Sequence, residues 1–256
     1  MLQRAAPRDV LFARRNDAGP RLRRIDATLD ARQRISSRLL KSPQRCVVRV
    51  VRGLQLFRRV QPYTLVSREK LATLCRLIAT LDRDRVPGVI VECGVFKGGA
   101  AAVMASEAGG RRDLYLFDSF EGLPPPGAED GALARQQFQP GWCASTEDDV
   151  RRAFDVAEAS TARLHIVKGW FADTFPHTRL PPIALLHIDA DWYDSVRLCL
   201  ETWYDVITPG GYVVLDDYGR WEGCTRAADE FLTTRGLPPL ERTGSAGHYL
   251  RKPART

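Results

Sequence analysis

The stretch GVIVECGVFKGGAA, residues 88–101, decides the fold that we predict for this chain. Its apolar run at 88–94 has the length and continuity of a strand that is buried on both faces, as in a parallel sheet. A glycine-rich turn follows, and a helical segment is expected at about 98–108. Glycines in such a turn let backbone amides approach a ligand and point the helix N-terminus at it. The stretch therefore predicts a strand, a binding loop and a helix in succession.

The same alternation of strand and helix continues along the chain. Further apolar runs lie at 113–119, 163–169, 183–191 and 211–218. Helical segments separate them at about 146–158, 193–206 and 222–234. Residues 209–211, Pro-Gly-Gly, are expected to form the turn into the fifth strand, and two last runs, near 239–243 and 247–251, an antiparallel hairpin at the sheet edge. The pattern predicts a doubly wound, Rossmann-like α/β fold with a mostly parallel sheet.

Residues 1–62 are predicted to form a basic, partly helical N-terminal arm or lid, ahead of a catalytic domain at 63–256. Residues 1–60 carry 15 arginines and one lysine against four aspartates, whereas the whole chain has a net charge of +7. Apolar residues recur on one face between 44 and 60, which predicts an amphipathic helix. A solvated extension is the interpretation that we favour. Contact of the arm with nucleic acid or a membrane is the alternative, although no RNA or DNA motif accompanies the charge.

Several other classes of protein are not expected. No stretch approaches the roughly 20 apolar residues of a membrane-spanning helix, and the first residues lack the apolar core of a secretory signal. A soluble, cytoplasmic protein without a transmembrane segment is therefore expected. The six cysteines show no CxxC pair and no zinc-type spacing with the four histidines, so a disulfide framework is not expected either.

The glycine-rich turn does not match a dinucleotide fingerprint. That fingerprint needs GxGxxG, whereas Gly94 is followed by Gly98 and Gly99, and Glu92 precedes the first glycine by two residues. The pattern E-x-G-x-x-x-G-G resembles motif I of class I methyltransferases. In that motif the loop passes the methionine part of S-adenosylmethionine, and the acidic residue helps to orient it. Glycines that are needed only for packing are the alternative.

Further cofactor contacts are expected at the ends of the second and third strands. Asp118 ends the second strand, where an acidic side chain can accept hydrogen bonds from ribose hydroxyls. After the third strand, Trp170 and Phe171 could stack near the adenine and Asp173 could accept from its amino group, with edge packing as the alternative. The complete set of predicted cofactor-binding residues is Glu92, Cys93, Gly94, Gly98, Asp118, Ser119, Gly169, Trp170, Phe171 and Asp173.

Carboxylates follow the fourth and fifth strands, in HIDAD (187–191) and LDDY (215–218). Because the carboxyl ends of adjacent parallel strands lie side by side, these groups would repel one another unless they are protonated or neutralised by a cation. Hard oxygen ligands in a partly open site suit Mg²⁺. The sequence therefore predicts a magnesium site, with helix-capping or solvated aspartates as the alternative.

Six motifs together resemble the macrocin O-methyltransferase (TylF-type) family. They are YTLVSREKL (63–71), ECGVFKGG (92–99), FDSFEGLP (117–124), VKGWFADTFP (167–176), HIDADWYDS (187–195) and PGGYVVLDDY (209–218). The resemblance extends from about residue 60 onward. It implies an enzyme that uses S-adenosyl-L-methionine and Mg²⁺ to methylate sugar hydroxyls of macrolides, aminocoumarins and related natural products. A homo-oligomer is also expected, because this family tends to associate.

The resemblance also implies roles for individual carboxylates. The metal ligands would be Asp189, Asp216 and Asp217, with Asp191 and Tyr193 on the substrate side. Because a sugar hydroxyl is a poor nucleophile until its proton leaves, Asp189 is the candidate to accept that proton while it remains a metal ligand. The loop at 119–145, which contains Trp142, is placed to border the acceptor pocket, with a surface excursion of no special role as the alternative.

Three rival functions share parts of this pattern. A catechol-type methyltransferase has the same fold, cofactor and metal, but usually carries Asp-Asn where this chain has Asp216 and Asp217. A nucleotide-sugar glycosyltransferase could use the DAD at 189–191, but would not be expected to carry the loop at 92–99. A non-catalytic protein that binds a partner through the basic arm would be expected to lose an acidic or glycine position, and all of them are intact.

Overall fold

The computed structural model describes residues 53–243 and 247–253. They belong to one compact unit that begins at Gly53, so most of the predicted basic arm lies outside the described residues. Of the predicted amphipathic helix only 53–60 is described, and this segment, α1, is helical. Val60 at its end is fully buried in the core. This last part of the predicted arm therefore packs with the domain.

Helices and strands alternate as the apolar runs predict. The further α-helices in the described ranges are α2 (Arg68–Arg83), α3 (Gly99–Ala108), α4 (Gly131–Gln137), α5 (Glu147–Ala157), α6 (Phe171–Thr174), α7 (Tyr193–Trp203) and α8 (Glu222–Thr234). The strands are β1 (Val89–Cys93), β2 (Leu114–Asp118), β3 (Leu164–Lys168), β4 (Ile183–Ile188), β5 (Ile207–Leu215), β6 (Glu241–Thr243) and β7 (Gly247–Arg251). The short helices α4 and α6 lie in segments where the sequence predicts none.

The seven strands form one sheet in the order β3-β2-β1-β4-β5-β7-β6. The first five strands in this order are parallel, and β7 pairs antiparallel with β5 and with β6. The doubly wound fold and the antiparallel hairpin at the edge are therefore confirmed. Strand order reverses between β1 and β4, and ligands bind at such a switch point, beyond the carboxyl ends of the strands.

Burial explains why the central strands read as unbroken apolar runs. Every residue of β1 and β4 is buried, whereas β3 near the edge is half-buried. Side chains alternate between the two faces: Ile90 packs with α2, α3 and α5, and Val91 packs with α7 and α8. The register pairs Glu92 with His187, so these two polar residues share a face at the end of the two central strands.

One helix start follows a local signal, and one predicted turn is wrong. The Ser67 hydroxyl accepts a hydrogen bond from the amide of Lys70 at 3.3 Å, so Ser67 caps α2. Residues 209–211, in contrast, do not form a turn before the fifth strand, because β5 already begins at Ile207 and runs through them. The register between β4 and β5 shifts at this point, and Gly210 has a φ of +84°. The glycines thus mark an irregularity inside a strand.

No helix in the described part of the chain is long and apolar enough to cross a membrane.

Candidate active site

A cavity of about 320 Å³ opens at the carboxyl ends of β1, β4 and β5. It is bordered by the loops after these strands and by the segment at 64–67 that leads into α2. Most of the predicted site residues line this single cavity. They are Glu92, Gly94, Asp118, Ser119, Gly169, Trp170, Phe171, Asp189, Asp191, Asp216 and Asp217.

Four predicted site residues do not line the cavity. Cys93 is fully buried in the core on the α7 face of the sheet. Gly98 faces α5, because a Cβ atom there would meet Val150 at 2.9 Å. Asp173 is exposed, and the Tyr193 hydroxyl points outward and donates to the Glu230 carboxylate at 2.6 Å.

The loop after β1 is held in place by backbone geometry and by Asp118. Gly94 has a φ of +86°, and a Cβ atom there would lie 1.8 Å from the carbonyl oxygen of Asp189. Only glycine allows this close crossing of the two loops. Asp118 accepts hydrogen bonds from the amides of Val95 at 2.7 Å and Phe96 at 2.9 Å, and from the amide of Phe120 at 2.7 Å. Asp118 therefore shapes the loop on which a cofactor would lie.

A row of alternating charges crosses the ends of β1, β4 and β5. Glu92 Oε1 lies 2.9 Å from His187 Nδ1, and both side chains are buried. His187 Nε2 lies 3.8 Å from Asp216 Oδ1, which is too long for a hydrogen bond. Lys70, from α2, donates to Asp216 Oδ2 at 2.6 Å and to the Asp216 carbonyl at 2.7 Å. Two cations of the chain thus face the carboxylate of Asp216.

These contacts set the charge states in the row. Burial opposes ionisation of both Asp216 and His187. His187 and Lys70 nevertheless hold the pKa of Asp216 below its usual value. Asp216 and Glu92 in turn raise the pKa of His187 to about 9, against the effect of burial. At neutral pH His187 is therefore a buried cation between two carboxyl groups.

A second group of carboxylates faces the cavity directly. Asp189, Asp191 and Asp217 each present one oxygen so that all three oxygens lie within 4.8 Å of one another. Asp217 is 5% exposed, and its Oδ2 has no hydrogen-bond partner among the described residues. Asp191 has a φ of +54°, and its Oδ1 accepts a hydrogen bond from the indole of Trp221 at 2.8 Å. The structure thus gathers Asp191 with two predicted metal ligands, while Asp216 faces Lys70.

Burial and mutual repulsion make these three carboxyl groups weaker acids than an ordinary aspartate in water. Burial, followed by Asp216, raises the pKa of Asp217 to about 6. Burial, followed by neighbouring aspartates, also raises the pKa of Asp189 and of Asp191 well above the usual value. Carboxylates that are forced together in this way bind either protons or a cation.

Sequence reasoning missed several residues of the site. Lys70 lies within the quoted motif at 63–71, but nothing in the sequence shows that α2 brings it to Asp216. His187 occupies a position in an apolar run where a buried histidine has no periodic signature. Trp221 and Arg220 also line the cavity, and the only available signal was their nearness to the aspartate pair at 216–217.

Comparisons with known proteins give one matching family and several similar enzymes. Residues 45–252 match the model of the family described as macrocin-O-methyltransferase (TylF). A protein of Streptomyces olivaceus, 8-demethyl-8-(2,3-dimethoxy-alpha-L-rhamnosyl)-tetracenomycin-C 4'-O-methyltransferase, is 30% identical over 200 residues, which cover 75% of this chain and 76% of the relative. The demethyldecarbamoylnovobiocin O-methyltransferase of Streptomyces niveus is 32% identical over 177 residues, covering 66% of this chain and 67% of the relative.

A solved structure is similar over most of the described fold. The O-methyltransferase NovP superposes with a TM-score of 0.69 at 28% sequence identity, and the match covers 75% of this chain and 83% of that one.

Proposed function

Because this chain belongs to the macrocin O-methyltransferase (TylF) family and is an S-adenosylmethionine-dependent O-methyltransferase, we propose that it methylates a sugar hydroxyl with the help of Mg²⁺. The observation that carries the proposal is the carboxylate group Asp189, Asp191 and Asp217 in the same cavity as the glycine loop. The two Streptomyces relatives are O-methyltransferases of natural products, and one of them acts on a rhamnosyl compound.

The residues of the cavity fit the cofactor. Glu92 is 1% exposed, and its Oε2 has no partner in the described part of the chain although the residue lines the cavity. A buried carboxylate oxygen without a donor favours a ligand that carries an amino group, and S-adenosylmethionine carries one. When bound, this cofactor supplies an electrophilic methyl group on a positively charged sulfur.

The residues also fit a hard divalent cation. Oxygen ligands only, close spacing and an unpartnered buried oxygen on Asp217 match the preference of Mg²⁺ for carboxylates in a site that also admits water or substrate. When bound, the cation lowers the pKa of a hydroxyl group that reaches it and fixes the direction of that group.

Asp189 and Asp217 are the ligands that we assign first, with Asp216 as the third. One oxygen of Asp216 accepts a hydrogen bond from the Lys70 ammonium. Asp216 can therefore bind Mg²⁺ only if Lys70 moves away or shares this oxygen with the metal ion. Asp191 already lies in the group and is the competing third ligand. Substituting these two aspartates separately decides between them.

The chain itself provides a candidate general base. Asp189 is the group that we assign to accept the proton of the acceptor hydroxyl, and Asp191 beside it has the same capacity. A carboxylate whose pKa is raised by burial is a stronger base than one in water. The carboxylate would take the proton of the hydroxyl, and the bound cofactor would supply the methyl group to the oxygen and be released as a neutral thioether.

Calorimetric titration of the full chain tests both ligands. S-adenosylhomocysteine should bind in chelator and in Mg²⁺, and Mg²⁺ should bind to the wild type. Asp217→Asn should weaken Mg²⁺ binding at least about tenfold. Its affinity for S-adenosylhomocysteine should stay within a few-fold of the wild-type value. Asp194→Asn is the matched control, because its side chain is 81% exposed at the start of the adjacent helix.

Two outcomes would contradict the proposal. Unchanged Mg²⁺ affinity in Asp217→Asn would remove the metal site from this carboxylate group. Mg²⁺ binding that is lost in Asp191→Asn and kept in Asp216→Asn would replace Asp216 by Asp191 as the third ligand.

A further inference from the structure

Three tryptophan rings form one cluster beside the cavity. Trp142 lies 6.5 Å from Trp192 and 6.2 Å from Trp221 between ring centroids, and the two latter rings are 5.2 Å apart. All three pairs pack edge to face. Trp192 and Trp221 are 2% and 3% exposed, whereas Trp142 is only partly buried and lines the cavity. Trp142 is therefore the most exposed ring of the cluster.

The two buried rings are fixed by hydrogen bonds, and the third ring has an unused donor. The Trp192 indole donates to the carbonyl of Pro124 at 2.8 Å, and the Trp221 indole donates to Asp191 Oδ1 at 2.8 Å. Within the described ranges, the Trp142 indole N–H makes no hydrogen bond. Because an indole N–H usually finds a partner once it is covered, a ligand that covers this ring could accept from it.

The backbone of Trp142 is anchored as well. Its amide donates to the carbonyl of Gln139 at 3.0 Å, and its carbonyl accepts from the amide of Leu123 at 2.8 Å. A Cβ atom at Gly122 would lie 2.5 Å from the same carbonyl, so the chain crosses closely here. Trp142 is thus held in place before any ligand arrives, which reduces the ordering cost of binding.

We propose that Trp142 is the platform on which the sugar ring of the acceptor lies, and that it is a specificity-determining residue of the acceptor site. The inference rests on the proposed function. A pyranose ring has an apolar face of C–H groups and a polar edge of hydroxyls, which match the indole face and the neighbouring carboxylates, respectively. The Trp221 hydrogen bond joins the cluster directly to Asp191, so a ring on Trp142 turns its hydroxyl edge toward the carboxylate group.

The test compares two replacements of Trp142 in the full chain with Mg²⁺, S-adenosylmethionine and a nitrophenyl α-L-rhamnoside as acceptor. Trp142→Phe keeps a flat ring, whereas Trp142→Leu fills the space with a branched chain. Trp142→Leu should raise the KM for the rhamnoside about tenfold, which corresponds to about 1.4 kcal/mol, with kcat and S-adenosylhomocysteine affinity within about threefold. Trp142→Phe should recover most of this loss.

A control variant uses a second tryptophan that lines the cavity. Trp170 follows β3 and is a predicted cofactor contact, so Trp170→Leu should weaken S-adenosylhomocysteine binding, and at saturating S-adenosylmethionine the rhamnoside KM should stay close to that of the wild type. Emission gives a second measurement that does not depend on Trp142→Leu folding. Saturation with methyl α-L-rhamnoside, which carries no nitrophenyl quencher, should change the wild-type emission, and this change should be much smaller in Trp142→Phe.

The outcomes separate this inference from the proposed function. A wild type that methylates the rhamnoside, with a KM unchanged in Trp142→Leu, would overturn the platform alone. Equal losses in the Phe and Leu variants, or an emission change of undiminished size in Trp142→Phe, would overturn it as well. A wild type that binds S-adenosylhomocysteine and methylates a catechol but no glycoside would overturn both the platform and the sugar acceptor.

Discussion

Replacing Asp217 by asparagine should stabilise the protein in the absence of metal. Asp217 is 5% exposed, and burial together with Asp216 raises its pKa from 3.8 to about 6. A carboxyl group with a higher pKa in the folded state stabilises the fold fully below the unfolded pKa. That contribution is lost as the pH rises through the folded pKa. Above this range the wild-type fold therefore carries the free-energy cost of a buried, ionised group.

The size of the effect follows from the two pKa values. The step from 3.8 to about 6 corresponds to about 3 kcal/mol, at about 1.4 kcal/mol per tenfold change in the acidity constant. For a domain of this size, a gain of that magnitude raises the midpoint of thermal unfolding by about 6–12 °C. The asparagine amide can also donate to Asp189, which lies beside it, in place of the repulsion between two carboxylates.

Thermal unfolding in chelator, followed by circular dichroism, checks this prediction. At about pH 8 Asp217→Asn should unfold at a higher temperature than the wild type, and the difference should shrink below about pH 5. Added Mg²⁺ should stabilise the wild type and have little effect on the variant, whereas the exposed control Asp194→Asn should follow the wild type throughout. An Asp217→Asn protein that unfolds at or below the wild-type temperature at about pH 8 in chelator would refute the reasoning.

Three further substitutions probe the neighbouring contacts. Lys70→Met should tighten Mg²⁺ binding about tenfold by calorimetry, because the ammonium on Asp216 no longer competes for the carboxylate. Lys70→Arg should not tighten it, and weaker binding in Lys70→Met would contradict this. Asp118→Ala removes the acceptor of three loop amides and should weaken S-adenosylhomocysteine binding at least about tenfold, whereas unchanged affinity would mean that the loop holds its shape alone. Gly94→Ala should give little folded protein, because its Cβ collides with the Asp189 carbonyl. A folded variant with normal metal binding would exclude this close crossing.

The architecture could be predicted because burial leaves a direct mark on the sequence. β1 and β4 are buried along their whole length, so they appear as continuous apolar runs. Amphipathic helices such as α2 and α5 show the 3.6-residue period. The turn at 209–211 was predicted wrongly because proline and glycine signal a break in the chain locally. Pairing of β5 with β4 outweighs this local signal. Residues 209–211 therefore lie within β5, where the register against β4 shifts.

The site could be predicted only down to the level of strand ends. Topology places the ends of β1, β4 and β5 together, which gathers Glu92 and the aspartates without any knowledge of side chains. The direction of each side chain is a different matter. Cys93 follows Glu92 in the same strand and therefore points to the opposite face, and Tyr193 begins a helix with its hydroxyl directed at Glu230.

Contacts between distant parts of the chain were beyond sequence reasoning. Lys70 and Asp216 are 146 positions apart, and their ion pair depends on how α2 packs across the sheet. The hydrogen bond from Trp221 to Asp191 likewise depends on the path of the chain after β5. Neither contact follows from spacing or composition, because both are set by tertiary packing.

Metal-assisted methyl transfer to a sugar hydroxyl at these carboxylates can be measured by mass spectrometry of a nitrophenyl α-L-rhamnoside. The glycoside is incubated with the full chain and S-adenosylmethionine in Mg²⁺ or in chelator. We expect a singly methylated rhamnoside in Mg²⁺, and none in chelator or with Asp217→Asn. Equal product in Mg²⁺ and in chelator, with the same product from Asp217→Asn, would contradict it.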